Sequence, residues 1–192
     1  MRNFRFLILG LVLLVSCNTA VRQNAMQKRL ANLDSLLNQM PRVVLDSLEQ
    51  MDISDYPEFD QAYYNLLLTI ARDKAYVEFR DDSIISSATD WFRAGKDPLL
   101  FARSLIYLGI VRYSLNPMDT LPYLHLKEAE ELMNVHALED TPLQVLLYGY
   151  LGDISIRNLN YDLADTYFEK ELSVCTKTEN YRNYIGTLIG VY

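Results

Sequence analysis

The sequence predicts an all-α protein built from helical hairpins, and three observations predict it. Apolar residues recur at helical spacing, first as Leu30, Leu33, Leu36 and Leu37, then as Val44, Leu45 and Leu48. No stretch alternates apolar and polar residues in the manner of a half-buried strand, and no Asn-Gly pair marks a hairpin turn between strands. Prolines punctuate the chain, with Pro41, Pro57, Pro98 and Pro142 each standing just ahead of an apolar-periodic run.

Taken in order, the spacing predicts helices over 24–39, 41–51, 57–78, 83–94, 98–114, 120–136, 142–157, 161–177 and 179–192. Proline suits the first helical position, where its missing N–H costs nothing. Asp97 before Pro98 and Thr141 before Pro142 supply the side-chain oxygen that caps the first turn. Gly95 ends the run through "TDWFRA", and Asn116-Pro117 ends the run through Tyr113. Short turns between such helices make neighbours antiparallel.

Ahead of these helices lies an address. Arg2 and Arg5 precede an apolar run over residues 6–15, followed by "LVSC", Leu14 to Cys17. At about 1.5 Å per residue the run covers only half of a ~30 Å hydrocarbon core, too little for a spanning helix. A charged n-region, a short h-region and a small residue before cysteine read as a signal peptide. The last four residues resemble the lipobox of bacterial lipoproteins. That resemblance implies cleavage after Ser16, lipid on Cys17 and a membrane tether. Each buried CH₂ contributes about 0.8 kcal/mol, and two or more chains hold a protein stably. Asn18, where an aspartate would imply inner-membrane retention, points to the outer membrane, with the protein facing the periplasm. The expected organisation is a signal peptide over 1–16, a flexible tether over 17–26 and a helical domain over 27–192.

Composition excludes several classes. The chain carries a net charge of −7, and loss of Arg2 and Arg5 makes the mature 176 residues −9, which does not suit nucleic acid or an anionic surface. Half of the residues are apolar and only seven are glycine, so the chain is not disordered. With Cys17 lipidated, Cys175 has no partner and reads as a small hydrophobe.

Internal repetition is legible in "YLGDISIRNLNYDLADTYFEK", Tyr150 to Lys170. With Val145 as position 1, Leu151 falls at 7, Gly152 at 8, Ala164 at 20 and Phe168 at 24. This resembles the tetratricopeptide repeat (TPR). Tyr148 replaces the usual Trp at position 4, and Ser155, Glu171 and Thr176 depart from the pattern. Leu108-Gly109 repeats the signature, Leu67-Leu68 plays its part without the glycine, and Ile185-Gly186 follows Leu151-Gly152 by the family period of 34, with Ile189-Gly190 as a competing register. The earlier spacings, 41 and 43, place extra residues in the loops near Asn116-Pro117 and Glu139-Asp140. The resemblance implies a right-handed solenoid in which a small residue at position 8 lets the second helix of a pair lie close on the first, with Ala164 facing Gly152.

It also implies a concave groove for a protein or peptide partner. Carried over, the groove positions include Asn65, Thr69 and Arg72, then Arg103, Ile110 and Tyr113, then Asp153 and Arg157. Arg72 and Arg103 could meet a carboxylate in fork geometry. The chain resembles the N-terminal part of longer TPR lipoproteins or regulators, which makes a truncated sensor arm an alternative to an interaction scaffold. A glycan-capture lipoprotein is a third reading, disfavoured by the short loops. The last helix, near 179–192, reads as uncapped and apropos for self-association.

No chemistry is expected. His125 and His136, the only histidines, stand about 16 Å apart along one helix and cannot share a metal. No P-loop, Rossmann or Gly-x-Ser-x-Gly motif is present, and no cofactor is implied. The pairs Asp81-Asp82 and Glu130-Glu131 read as helix-start charge and a solvated face. The fourteen tyrosines read as gap-fillers whose hydroxyls reach water, with Trp91 and Tyr113 the aromatics most open to a ligand role.

Overall fold

The computed structural model describes residues 23–95 and 97–176, which contain eight α-helices and no strand. The chain divides into two compact units between Glu78 and Phe79. Residues 1–22 and 177–192 lie outside the described residues, and with them the predicted signal peptide, Cys17 and the predicted last helix.

The first unit holds α1 (23–36), α2 (Pro41–Glu49) and α3 (Glu58–Lys74). Leu30, Leu33 and Leu37 bury one stripe, and Val44, Leu45 and Leu48 bury another. Helical structure is already present at residue 23 and Met26 is buried, so the last four positions of the expected tether are helical. Two tyrosines of α3 fix its neighbours. Tyr63 donates its hydroxyl to Asp34 at 2.6 Å, and Tyr64 donates to the Leu48 carbonyl at 3.0 Å.

Helix α3 stops at Lys74, four residues before the expected end. Tyr76 adopts φ 56°, the N–H of Tyr76 bonds to the Asp73 carbonyl, and that of Val77 bonds to the Arg72 carbonyl. These are the paired bonds of a Schellman stop, made here without glycine. The same device ends two helices of the second unit, at Ala137 with φ 49° and at Leu159 with φ 59°.

The second unit holds α4 (Ser83–Ala94), α5 (Pro98–Leu115), α6 (Leu121–Val135), α7 (Thr141–Arg157) and α8 (Tyr161–Thr176). Asp97 caps α5 as expected, accepting from the Leu100 N–H at 3.0 Å. Helix α7 departs from expectation: its cap is Asp140, which accepts from the Leu143 N–H at 2.9 Å, so Thr141 and Pro142 both lie inside the first turn. A carboxylate is the better acceptor for that otherwise unpaired first-turn amide.

The helices of this unit pack in chain order. Helix α5 lies between α4 and α6, α7 pairs with α8, and α6 and α5 each also touch α7. Of the described helices, α5 is long and apolar enough to cross a membrane by length and composition alone. It carries Arg103 and Arg112, and half of that window is buried within the protein, which fits a core helix.

Glycine sets the spacing of both hairpins. A Cβ on Gly109 of α5 would lie 2.9 Å from Leu126 Cγ and 3.2 Å from the Pro122 carbonyl oxygen of α6. A Cβ on Gly152 of α7 would overlap the Phe168 ring of α8. The side chain pressed on Gly152 is thus Phe168, while the expected partner Ala164 is buried one turn earlier on α8.

Candidate functional site

The groove positions expected from the repeat divide between the two units. In the first unit Asn65 and Arg72 are half-buried on α3, whereas Thr69 is only 3 % exposed and turns its hydroxyl back to the Asn65 carbonyl at 2.9 Å. Arg72 lies 3.6 Å from Glu49 across α2 and α3. Its guanidinium is engaged within its own unit, unlike the expected open fork.

In the second unit Arg103 is half-buried on α5, and Ile110 is 1 % exposed and belongs to the core. Thr69 and Ile110 are therefore not presented on an open surface. Their expected places were carried over from the repeat resemblance, and in this structure their neighbours close over both.

Tyr113, Asp153 and Arg157 do come together. Arg157 Nε donates to the Tyr113 hydroxyl at 2.9 Å, and its guanidinium carbon lies 5.4 Å from the Tyr113 ring centroid. Tyr150 meets the Tyr113 ring edge-on at 6.1 Å. Burial raises the pKa of the Asp153 carboxyl, and Arg157 offsets part of that. Burial likewise raises Glu171, and Asp153 adds to the effect. Parallel helices α5 and α7 thus carry an aromatic pair, an arginine and an acid along one exposed edge.

A second cluster escaped the sequence reading. Glu130, expected on a solvated face, is only 4 % exposed. Lys127 donates to its Oε2, and Lys170 of α8 donates to its Oε1 at 2.7 Å. Lys127 also donates to the Tyr167 hydroxyl at 3.1 Å. Beneath the ammonium groups lie Tyr148 and Tyr167, stacked at 6.4 Å. The Lys170 nitrogen is 5.4 Å from the first ring and 5.2 Å from the second. Burial alone would raise the Glu130 pKa, but the bonds from both lysines outweigh it and hold it below the ordinary carboxylate value. Burial opposes the charge on Lys127, and Glu130 and Tyr167 more than restore it. The i,i+3 spacing of Lys127 and Glu130 was visible in sequence, but the approach of α8 to α6 was not.

The remaining polar groups serve packing. Arg112 donates from Nε to Asp82 at 2.6 Å and lies 2.5 Å from His125 Nε2. A guanidinium only donates, so His125 is neutral and carries its proton on Nδ1. Arg93 pairs with Glu128 and lies over the Phe101 ring. In the first unit Asp60 is wholly buried, and neither carboxylate oxygen has a hydrogen bond of good geometry. Burial raises its pKa, with Gln27 acting the other way. Cys175 is buried, and burial raises its thiol pKa. Among the described residues no three His, Cys, Asp or Glu side chains are placed to hold a metal ion.

Comparison with protein-family models, with curated proteins and with solved structures gives no match. On its own residues, the chain is an all-α protein of eight described helices, packed in sequential pairs in a manner compatible with a helical repeat.

Proposed function

We propose that this chain is a membrane-tethered, periplasm-facing scaffold of TPR-like hairpins that binds a protein partner and performs no catalysis. The observation that carries the reading is the repeated construction of α5–α6 and α7–α8. In each, a glycine on the first helix receives a side chain of the second, and Gly109 and Gly152 stand at the same point of the "LG" signature. Such repeats present their first helices side by side, and α5 and α7 touch. Their shared edge bears Tyr113, Tyr150, Asp153 and Arg157, a mixture of aromatic and charged groups of the kind enriched in protein interfaces. The tether rests on the order of arginines, apolar run and "LVSC".

The test has two arms on the full-length protein in a bacterial host that processes lipoproteins. Cys17→Ser should abolish incorporation of labelled palmitate and release the protein into the soluble envelope fraction. Tyr113→Ala with Arg157→Ala, in an otherwise native protein, should lose crosslinks that the wild type makes in the envelope. Unchanged labelling and membrane retention would defeat the tether, and identical crosslink profiles from two equally folded proteins would defeat the edge.

A further inference from the structure

The Lys127–Glu130–Lys170 cluster is not charge-balanced. Two ammonium groups share one buried carboxylate, which leaves a surplus of one positive charge in an otherwise acidic protein. Each ammonium has three N–H donors. Lys127 uses two, on Glu130 and Tyr167, and Lys170 uses one, on Glu130. Three donors on adjacent nitrogens are left without a hydrogen-bond partner among the described residues. Both lysines are close to half exposed, and Glu130 side-chain exposure is 5 %. The buried glutamate therefore acts as a fixed spacer, and the tyrosine rings shield the inner sides of the two cations. Glu128 and Glu131 of α6 line the same surface depression as Lys127 and Glu130, but Glu128 is paired with Arg93 and the ion pairs of the two lysines are both with Glu130.

We propose that Lys127 and Lys170, held side by side by Glu130 on Tyr148 and Tyr167, form a binding site for a carboxylate group. A monoanion matches the single surplus charge, and a planar carboxylate offers two acceptor oxygens to donors from the two nitrogens. Preorganisation favours binding, because the lysine side chains are already ordered by their bonds and by the rings. Both residues belong to second helices of their hairpins, so the site is separate from the α5–α7 edge and does not depend on the lipid tether.

The test is calorimetric titration of the full-length protein with sodium acetate and, separately, with a pentaglutamate peptide. Binding with Kd of about 1 mM or tighter is expected. Lys170→Gln removes the surplus charge at an exposed position and should weaken binding about tenfold or more. Glu130→Gln releases both ammonium groups from their spacer and should weaken binding despite the larger positive charge, which a site governed by charge alone would not do. Tighter binding of the peptide than of acetate assigns the carboxylate to a protein partner, and equal binding assigns it to a small acid. Absence of binding by both probes overturns the site. So does equal binding by wild type and Lys170→Gln, a variant that keeps the assay decisive if Glu130→Gln does not fold.

Discussion

Arg157 and Tyr113, 44 residues apart in the chain, are joined by a 2.9 Å hydrogen bond from guanidinium to phenol, with the same cation lying against the same ring. One side chain comes from the last turn of α7 and the other from the last turns of α5. Their meeting fixes these parallel helices at one end. A double-mutant cycle with Tyr113→Ala and Arg157→Ala should return a coupling of about 0.5–1 kcal/mol, the range for an exposed cation–ring pair. Tyr113→Phe, which keeps the ring and removes the hydroxyl, should retain part of it. Denaturant melts of the four proteins give the numbers, and additive single effects would show that the two groups are neighbours without being coupled.

The hairpin glycines make a sharper prediction. Gly109→Ala drives a methyl against Leu126 and against the Pro122 carbonyl, which is backbone and cannot turn aside, so a loss of about 1–3 kcal/mol is expected. Gly152→Ala meets the Phe168 ring, and Gly152→Ala with Phe168→Leu should recover part of the loss. Gly149 is the internal control. A Cβ there would lie 3.5 Å from the Glu171 carboxylate, an ordinary contact, and Gly149→Ala should gain up to about 1 kcal/mol from helix propensity. Thermal midpoints that rank the three alike would contradict the packing described.

The left-handed stops predict gains. Ala137 and Leu159 hold φ values of 49° and 59°, where a Cβ crowds the following carbonyl at a cost of about 1–2 kcal/mol. Ala137→Gly and Leu159→Gly should each raise stability by roughly 1 kcal/mol, less the extra entropy of glycine in the unfolded chain. Tyr76, 96 % exposed, tests the same rule in the first unit. A fall in midpoint on Leu159→Gly would mean that its side chain contributes more than its backbone costs.

His125 gives a dependence on pH whose sign is fixed by its neighbours. Burial and then the Arg112 guanidinium lower its pKa; Glu128 offsets part of this, Arg93 adds a smaller lowering and Asp119 a smaller rise. The unfolded chain takes up the proton at about pH 6.5 and the folded chain only at a lower pH. Between those values the unfolded state holds more protons, so stability declines as pH falls through the window and the decline ends once the folded imidazole is also charged. The stability difference between wild type and His125→Gln, followed from pH 7.5 downward, should shift in favour of the variant below about pH 6.5. A difference independent of pH would remove His125 as its source.

Helix positions were legible because each carries its own signals. The apolar stripes placed the cores of α1 and α2, Asp97-Pro98 placed the start of α5, and Asn116 placed its end. Ends governed by backbone geometry were less legible: nothing in "KAYVE" announces that Tyr76 turns left-handed and stops α3. Tyr113 and Arg157 were both named as groove positions, but their direct contact was not legible, because the expected cation partners of Tyr113 were Arg72 and Arg103. Glu130 was not legible either, because its burial depends on Lys170 arriving from 40 residues away, and the local sequence shows only an acidic pair. Gly152 was recognised as a contact point, but which of Ala164 and Phe168 fills it depends on the rotation of α8, which spacing alone leaves open.

Packing in chain order has a consequence for how the second unit is made. The helix partners there are next to one another in sequence, or one helix removed, so each contact closes a short loop and the mean sequence separation of contacts is low. Such a topology favours rapid assembly, because each hairpin can close without waiting for distant chain. The second unit can then gain structure one hairpin at a time, with little unpaired apolar surface held open for long.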